Sequence, residues 1–347
     1  MGFSIHDRTT PIPLFPLPGG RSLVFAFALW MGVCTIAAAQ DTCKHRGELD
    51  TIYCDEDRDL TADPPKDPAK FKYPESLLLS YSPQEDTAAY EKLWAPYVAH
   101  MAQCVGKKIR FFQVFSSAAA VEALRSGRIQ FSLLATGDTP FAVNVAGAVP
   151  YAGIGSTAGL LQYHVIVLVK HSSAYAKLSD LKGKRVAHSA PSSNSGNMAP
   201  RALFPAEGLT PDKDYKVVYS GRQDNSIIGV LRGDFDAAAV ADDILERMVA
   251  RGLVKPGDYR IIYKSKPFPA GSMVLAHDLE PLLSKKIRAC TFSYAFSSEL
   301  KQAFHGADRY VPLHYQQDFA AVRDVATRSG EAFDRAGFEK RKQESVK

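Results

Sequence analysis

Short apolar runs alternate with segments of helical period along most of this chain, and that alternation restricts the possible folds more than any other feature. Residues 77–81 (Leu-Leu-Leu-Ser-Tyr) make a strand-length run closed by Ser82-Pro83. Over 87–104 the spacing of Tyr90, Leu93, Trp94, Tyr97, Val98 and Met101 predicts a helix. A strand over 108–114, a helix over 118–126 and a strand over 129–134 follow. Neighbouring parallel strands need a crossover, usually a helix, so this order predicts an α/β lobe built on a mainly parallel sheet. The order returns after the long apolar strand 163–170, with strands at 184–188, 215–219, 235–240 and 259–263 and helices at 198–207, 226–231 and 244–250 between them. Pro267 to Pro269 is expected to turn the chain back, and helices near 280–296 and 319–327 to rejoin the first lobe. Gly153-Ile154-Gly155-Ser156-Thr157-Ala158-Gly159 is read as a flexible connector.

With 347 residues, 46% apolar and 23% charged, the chain is long enough for two lobes with their own cores. The expected boundaries are a leader over 1–39, a Cys/Asp/Pro-rich arm over 40–75, lobe one over 76–160, lobe two over 161–268, a return to lobe one over 269–338 and a flexible tail over 339–347. Arg21, the apolar run 22–33 and Ala37-Ala38-Ala39 supply the charged, apolar and small-residue regions of a secretory signal. Cleavage is expected near Gln40. An uncleaved anchor is the weaker alternative, since the apolar run is near the lower limit for a membrane span. Val33 before Cys34 is a poor context for lipoprotein processing, which favours a soluble product.

Export places Cys43, Cys54, Cys104 and Cys290 in an oxidising compartment. Cys43 and Cys54 are close in sequence and are expected to bond; Cys104 either pairs with Cys290 or stays free. Directly after Cys54, Asp55, Asp57, Asp59 and Asp63 stand at positions 1, 3, 5 and 9 of a loop that can wrap a calcium ion. Leu60 replaces the turn glycine and Lys66 the bidentate Glu of an EF-hand loop, so a solvated acidic loop is expected, with a structural calcium as the alternative. No other cofactor is expected. The net charge of +5 is mild, without a Lys/Arg-dense tract, so nucleic acid is not an expected partner.

In open α/β sheets ligands sit beyond the carboxyl ends of the strands. Four polar sets occupy such positions: Ser82; Ser116 and Ser117; Thr136, Gly137 and Asp138; and the stretch Ser189-Ala190-Pro191-Ser192-Ser193-Asn194-Ser195-Gly196-Asn197. The last opens a predicted helix, where free backbone N–H groups and the helix dipole can hold an oxyanion instead of a cap. Gly196 lets the backbone approach closely. No Gly-x-Ser-x-Gly elbow, His-Glu-x-x-His helix, phosphate-loop Lys-Ser/Thr signature or dinucleotide Gly-x-Gly-x-x-Gly occurs. The nine histidines show no metal-ligand spacing. Capture of a small anion therefore has sequence support, while catalysis has none.

Several blocks occur together in one order: Asp180-Leu181-Lys182-Gly183-Lys184-Arg185-Val186-Ala187, Pro191 to Gly196, Pro200-Arg201-Ala202-Leu203, and Tyr219-Ser220-Gly221 with Asp224. In these blocks the chain resembles the phosphonate/phosphite-binding solute receptors of bacterial ABC transporters, over roughly residues 77–323. The resemblance implies a type 2 periplasmic-binding-protein fold, a monomer in the periplasm, and a small phosphorus oxyanion (phosphonate, phosphite or phosphate) held between lobes that close on it and are read by a permease. It implies ligand contacts from Ser192, Ser193, Asn194, Ser195 and Gly196, with Tyr163, His164, Gln223, Asp224 and Asp242 as further candidates. The family commonly carries tyrosines where Ser117 and Leu134 stand and a histidine where Gln223 stands. Asp138, Asp224 and Asp242 add carboxylates, which a phosphonate with a cationic tail would accommodate. The alternatives are a sensor feeding a histidine kinase, for instance an arsenite sensor using Cys104, and, with least support, a phosphoester hydrolase.

Overall fold

Two sheets carry the chain in a computed structural model that describes residues 43–85 and 87–344. The expected leader, Cys34 and the last three residues of the expected tail lie outside the described residues. The strands in chain order are β1 (Ser76–Tyr81), β2 (Lys108–Phe111), β3 (Phe131–Leu134), β4 (Ala148–Ser156), β5 (Gly159–Leu160), β6 (Gln162–Lys170), β7 (Arg185–His188), β8 (Lys216–Tyr219), β9 (Ala237–Ala241), β10 (Tyr259–Pro269), β11 (Ser272–Ala276) and β12 (Arg309–Pro312). One sheet is ordered β12-β4-β11-β3-β1-β2, with β5 on β4; the other is β10-β6-β9-β7-β8.

The two-lobed α/β architecture is as expected, but the sheets are mixed rather than mainly parallel. β1 runs parallel to β2 and β3, and β7 to β8 and β9, each the βαβ unit that the alternation predicts. Every other pairing is antiparallel. The antiparallel strands are those by which the chain passes between sheets, and such strands need no crossover helix. β10 is the case in point: it pairs with β6 from Tyr259↔Lys170 to Pro269↔Gln162, so Pro267 and Pro269 continue an edge strand instead of turning the chain. Proline is tolerated there because an edge strand can spare a donor. Likewise the stretch 153–156 is no connector but part of β4, between β11 and β12. A side chain at Gly155 would meet the Gly159 carbonyl at 2.3 Å, so this glycine serves close strand approach.

The first sheet packs an aromatic cluster in which Trp94, Tyr97, Phe296, Phe304 and Tyr310 are all buried. Burying side chains of this size contributes about 1.5–3 kcal/mol each. Cys104 bonds Cys290, tying helix Thr87–Val105 to helix Pro281–Phe292, and the expected Cys43–Cys54 bond is present. The arm is held by Leu49, Tyr53 and Ala62 in the core and by an Asp50–Arg335 ion pair at 2.6 Å. The expected flexible tail is instead a helix, Arg335–Glu344, through residue 344. Phe338 and Arg341 share a face and pack on Phe141, at 6.0 and 5.8 Å, while Arg341 also pairs with Glu331 and donates to the Pro191 carbonyl. A mostly charged sequence hides these two anchors.

Candidate ligand-binding site

β7 ends at His188, and the chain then bends through Ser189–Ser193 into a helical run whose first turn, Asn194–Met198, is π-helical. The helix thus begins four residues before the expected Met198, and π turns are common at functional sites. Ser193 caps it: its Oγ accepts the Gly196 N–H at 3.0 Å, leaving the hydroxyl proton to donate elsewhere. The Cβ of any residue at 196 would fall 2.0 Å from Ser189 Oγ, which is why the turn needs glycine.

A hydrogen-bonded network stands behind this turn. Asn197 Nδ2 donates to the Pro191 carbonyl at 2.8 Å, and Arg201 Nε donates to Asn197 Oδ1 at 2.9 Å. Since that oxygen accepts, the His188 nitrogen 2.9 Å away, Nδ1, carries the proton, and Nε2 accepts from the Tyr215 hydroxyl at 2.9 Å. Burial pushes the His188 pKa down to about 4, so the ring is neutral near pH 7. The network fixes the loop that carries Ser192 and Ser193.

Across from the turn, β3 ends and helix Asp138–Ala146 begins, and the two walls enclose a small cavity of about 50 Å³. Ser117, Thr136, Gly137 and Asp138 line it from the first sheet, and Tyr163, Ser193, Asn194, Ser195 and Gln223 from the second. At roughly 10–15 Å³ per water, it has room for a few waters or a head group of similar size. Gly137 touches the opposite wall, since a Cβ there would lie 1.9 Å from the Ser192 carbonyl oxygen. Ser192 is bonded across the gap, its Oγ donating to Asp138 Oδ1 at 2.8 Å. Burial pushes the Asp138 pKa up, and the Ser117, Ser192 and Ser82 hydroxyls oppose that rise. Of these only Ser192 stands in hydrogen-bond geometry: Asp138 Oδ2 and Ser82 Oγ are buried without a partner, as are Ser189 Oγ and Asn194 Oδ1. Asn194 Nδ2 donates to the Tyr163 hydroxyl at 2.7 Å, and burial keeps that phenol protonated.

Other predicted residues stand elsewhere. Ser116 Oγ accepts the Ala119 N–H at 3.1 Å, an N-cap and no more. Asp242 accepts from the His164 N–H at 2.8 Å, lies 3.0 Å from His164 Nδ1 and pairs with Lys264 at 3.2 Å. Asp224 pairs with Arg222 at 3.2 Å. Neither His164, Asp224 nor Asp242 lines the cavity, because each charge is satisfied by a local partner. Sequence reasoning missed Tyr81, Ser189, Arg222, Asp243, Arg247 and Phe304, which do. Tyr81 and Tyr163 thus bring phenol rings to a pocket whose Ser117 and Leu134 carry none. Arg247 Nη1 bonds Asp243 at 2.9 Å, an i,i+4 pair visible in the sequence, while Nε bonds Glu85 at 2.9 Å, a contact from the other lobe that is not. In the acidic loop, oxygens of Asp55, Asp57 and Asp59 converge within 4.8 Å. Asp63 is not among them and accepts the Glu56 N–H at 2.7 Å. Asp55 takes the Asp59 and Leu60 N–H groups at 3.0 and 3.2 Å, so the loop closes on its own backbone.

A family profile described as the phosphonate, periplasmic substrate-binding protein of ABC transporters matches residues 79–319. The Phosphonates-binding periplasmic protein of Escherichia coli (strain K12) is 21% identical over 212 residues, 60% of this chain and 63% of that protein, so the alignment spans less than two thirds of the relative. The structure of a binding protein component of an ABC phosphonate transporter from Pseudomonas aeruginosa superposes with a TM-score of 0.66 at 17% identity, covering 78% of this chain and 95% of that one. A Prochlorococcus marinus protein solved in complex with methylphosphonate gives 0.67 at 16% identity, over 74% and 99%. These likenesses establish the fold, and the profile covers more than half of the chain. The chain therefore belongs to the phosphonate-binding periplasmic substrate-binding proteins of ABC transporters, a family of transport proteins and not of enzymes.

Proposed function

We propose that this protein is an extracytoplasmic receptor that captures a small phosphorus oxyanion (phosphonate, phosphite or phosphate) between its lobes and delivers it to an ABC permease after export to the periplasm. The observation that carries the reading is the pairing of the Ser193–Ser195 turn with Thr136–Asp138 around one small cavity that also holds the unpartnered hydroxyl of Ser189. A tetrahedral oxyanion presents acceptors on every side, and it would take hydrogen bonds from Ser193 Oγ, Ser189 Oγ and the N–H groups at the helix start. Hydrogen bonds to a charged group are worth about 1.5–3 kcal/mol each. A ligand touching both walls favours only the closed state, which is the signal a permease reads. The methylphosphonate in the Prochlorococcus marinus structure is in keeping with such a ligand. Cys104 is bonded to Cys290, which takes away the thiol an arsenite sensor would need there.

The test is a thermal-shift panel on chain starting at Gln40, with phosphate, phosphite, methylphosphonate, 2-aminoethylphosphonate, sulfate and arsenite. Ligand at 100 times its Kd adds about 2.7 kcal/mol of stability. The expected result is a shift with a phosphorus oxyanion and a loss of roughly one to two decades of affinity in Ser193→Ala. Silence from every phosphorus compound overturns the reading, and a shift with arsenite alone turns it to the sensor.

A further inference from the structure

The cavity contains more acceptors than an oxyanion can use. Asp138 and Asn194 are each 2% exposed, both line it, and Asp138 Oδ2 and Asn194 Oδ1 have no hydrogen-bond partner. They cannot face each other's acceptors or a bare anion without repulsion, and burying an unpaired acceptor is costly. A ligand that relieves them must bring a donor. The donor has to sit on the head group itself, because the acceptors share one cavity of about 50 Å³ with the Ser193 turn and leave little room for an aminoalkyl tail.

Resting on the receptor reading above, we propose that Asp138 selects for a protonated head group: it accepts a hydrogen bond from a P–OH of a monoprotonated phosphorus oxyanion, with Asn194 Oδ1 beside it, and so excludes sulfate and sulfonates. A phosphonic or phosphoric acid keeps one proton up to a second ionisation near neutral pH, whereas sulfate and sulfonates have shed theirs far below it. One proton is then held between the ligand and Asp138 in the complex, and it moves with neither bond made nor broken to phosphorus. The titratable and charged groups facing this point are Tyr81, Tyr163, Asp138, Arg222, Asp243 and Arg247. Tyr163 is kept neutral by burial, and Arg247 is paired with Asp243 and Glu85. That leaves Asp138 and the ligand to share the proton. Burial, by raising the Asp138 pKa, also makes this carboxylate a better acceptor than an exposed one.

The experiment compares calorimetric affinities for methylphosphonate and its isostere methanesulfonate, in the full mature chain and in Asp138→Asn, from pH 6 to pH 9. The wild type should bind methylphosphonate at least about a hundredfold more tightly than methanesulfonate, and that affinity should fall about tenfold per pH unit above the ligand's second ionisation, one proton per complex. Asp138→Asn, which offers an N–H, should shrink the ratio at least about tenfold and flatten the pH dependence. The wild-type ratio and its pH profile test the idea even if the variant folds poorly. Equal wild-type binding of the two isosteres, a ratio unchanged in Asp138→Asn, or a preference for 2-aminoethylphosphonate over methylphosphonate that Asp138→Asn abolishes would each overturn this assignment while leaving the receptor reading in place. Failure of every phosphorus oxyanion to bind would overturn both.

Discussion

The rim and the floor of the cleft are built by opposite rules. At the rim, charges are matched across the two lobes: buried Glu85 takes Arg247 at 2.9 Å and Arg251 beside it, Arg247 takes Asp243, and Glu246 lies 3.0 Å from His305. On the floor, Ser82, Ser189, Asn194 and Asp138 each leave a buried polar atom unmatched. Leaving such an atom without a partner costs about 1–3 kcal/mol, so the floor exists only because the packing around it imposes it. The contrast separates two tasks. Ion pairs at the rim hold the lobes together whether or not ligand is present, and the floor keeps its hydrogen-bonding capacity for whatever enters.

Three experiments would break or sharpen that contrast. Glu85→Ala leaves Arg247 and Arg251 facing each other without their shared carboxylate, and losing one partner of a buried pair should lower stability by about 3–5 kcal/mol in urea unfolding. A loss below about 1 kcal/mol would mean the rim does not hold the lobes. The satisfied network just behind the floor should show itself in acid. His188 has a folded pKa of about 4, below its ordinary value, so the unfolded chain binds the proton first as pH falls. Stability is therefore full above about pH 6.5 and drops by roughly 3 kcal/mol on the way to pH 4, at about 1.4 kcal/mol per unit. His188→Gln should flatten that part of the pH curve. The smallest effect belongs to the floor itself: Ser82→Ala removes an unpartnered hydroxyl, so stability should stay within about 1 kcal/mol of wild type or rise. Affinity for the best phosphorus ligand should nevertheless fall severalfold; a large loss of stability instead would show that Ser82 is paired in solution.

How far the sequence carries is itself divided along this line. The βαβ units, the Ser193 turn and the local Cys43–Cys54 bond follow from periodicity, cap chemistry and spacing, all short in range. The cradle's own residues were legible for that reason, as were Thr136, Gly137 and Asp138 at the end of β3. What stayed hidden depends on contacts between distant segments. Glu85 meets Arg247 across 162 residues, and Phe304 reaches the cavity from the returning segment. The antiparallel half of each sheet was missed because an edge strand such as β10 contains prolines that read as a turn. Asp242 and His164 misled in the opposite way: adjacent polar groups in the sequence look available to a ligand, but they neutralise each other at 3.0 Å.

The Cys104–Cys290 bond closes a covalent ring over a sequence separation of 186 residues. Both passages between the sheets and the whole of β6 to β10 lie within it. By loop-closure entropy alone such a ring removes roughly 5 kcal/mol of freedom from the unfolded chain. Its topological consequence is sharper: the second lobe is a bight of chain whose two ends are fastened at one point. A single protease cut anywhere in it leaves one molecule of unchanged mass plus a water, and the two pieces part only when a reductant opens the ring.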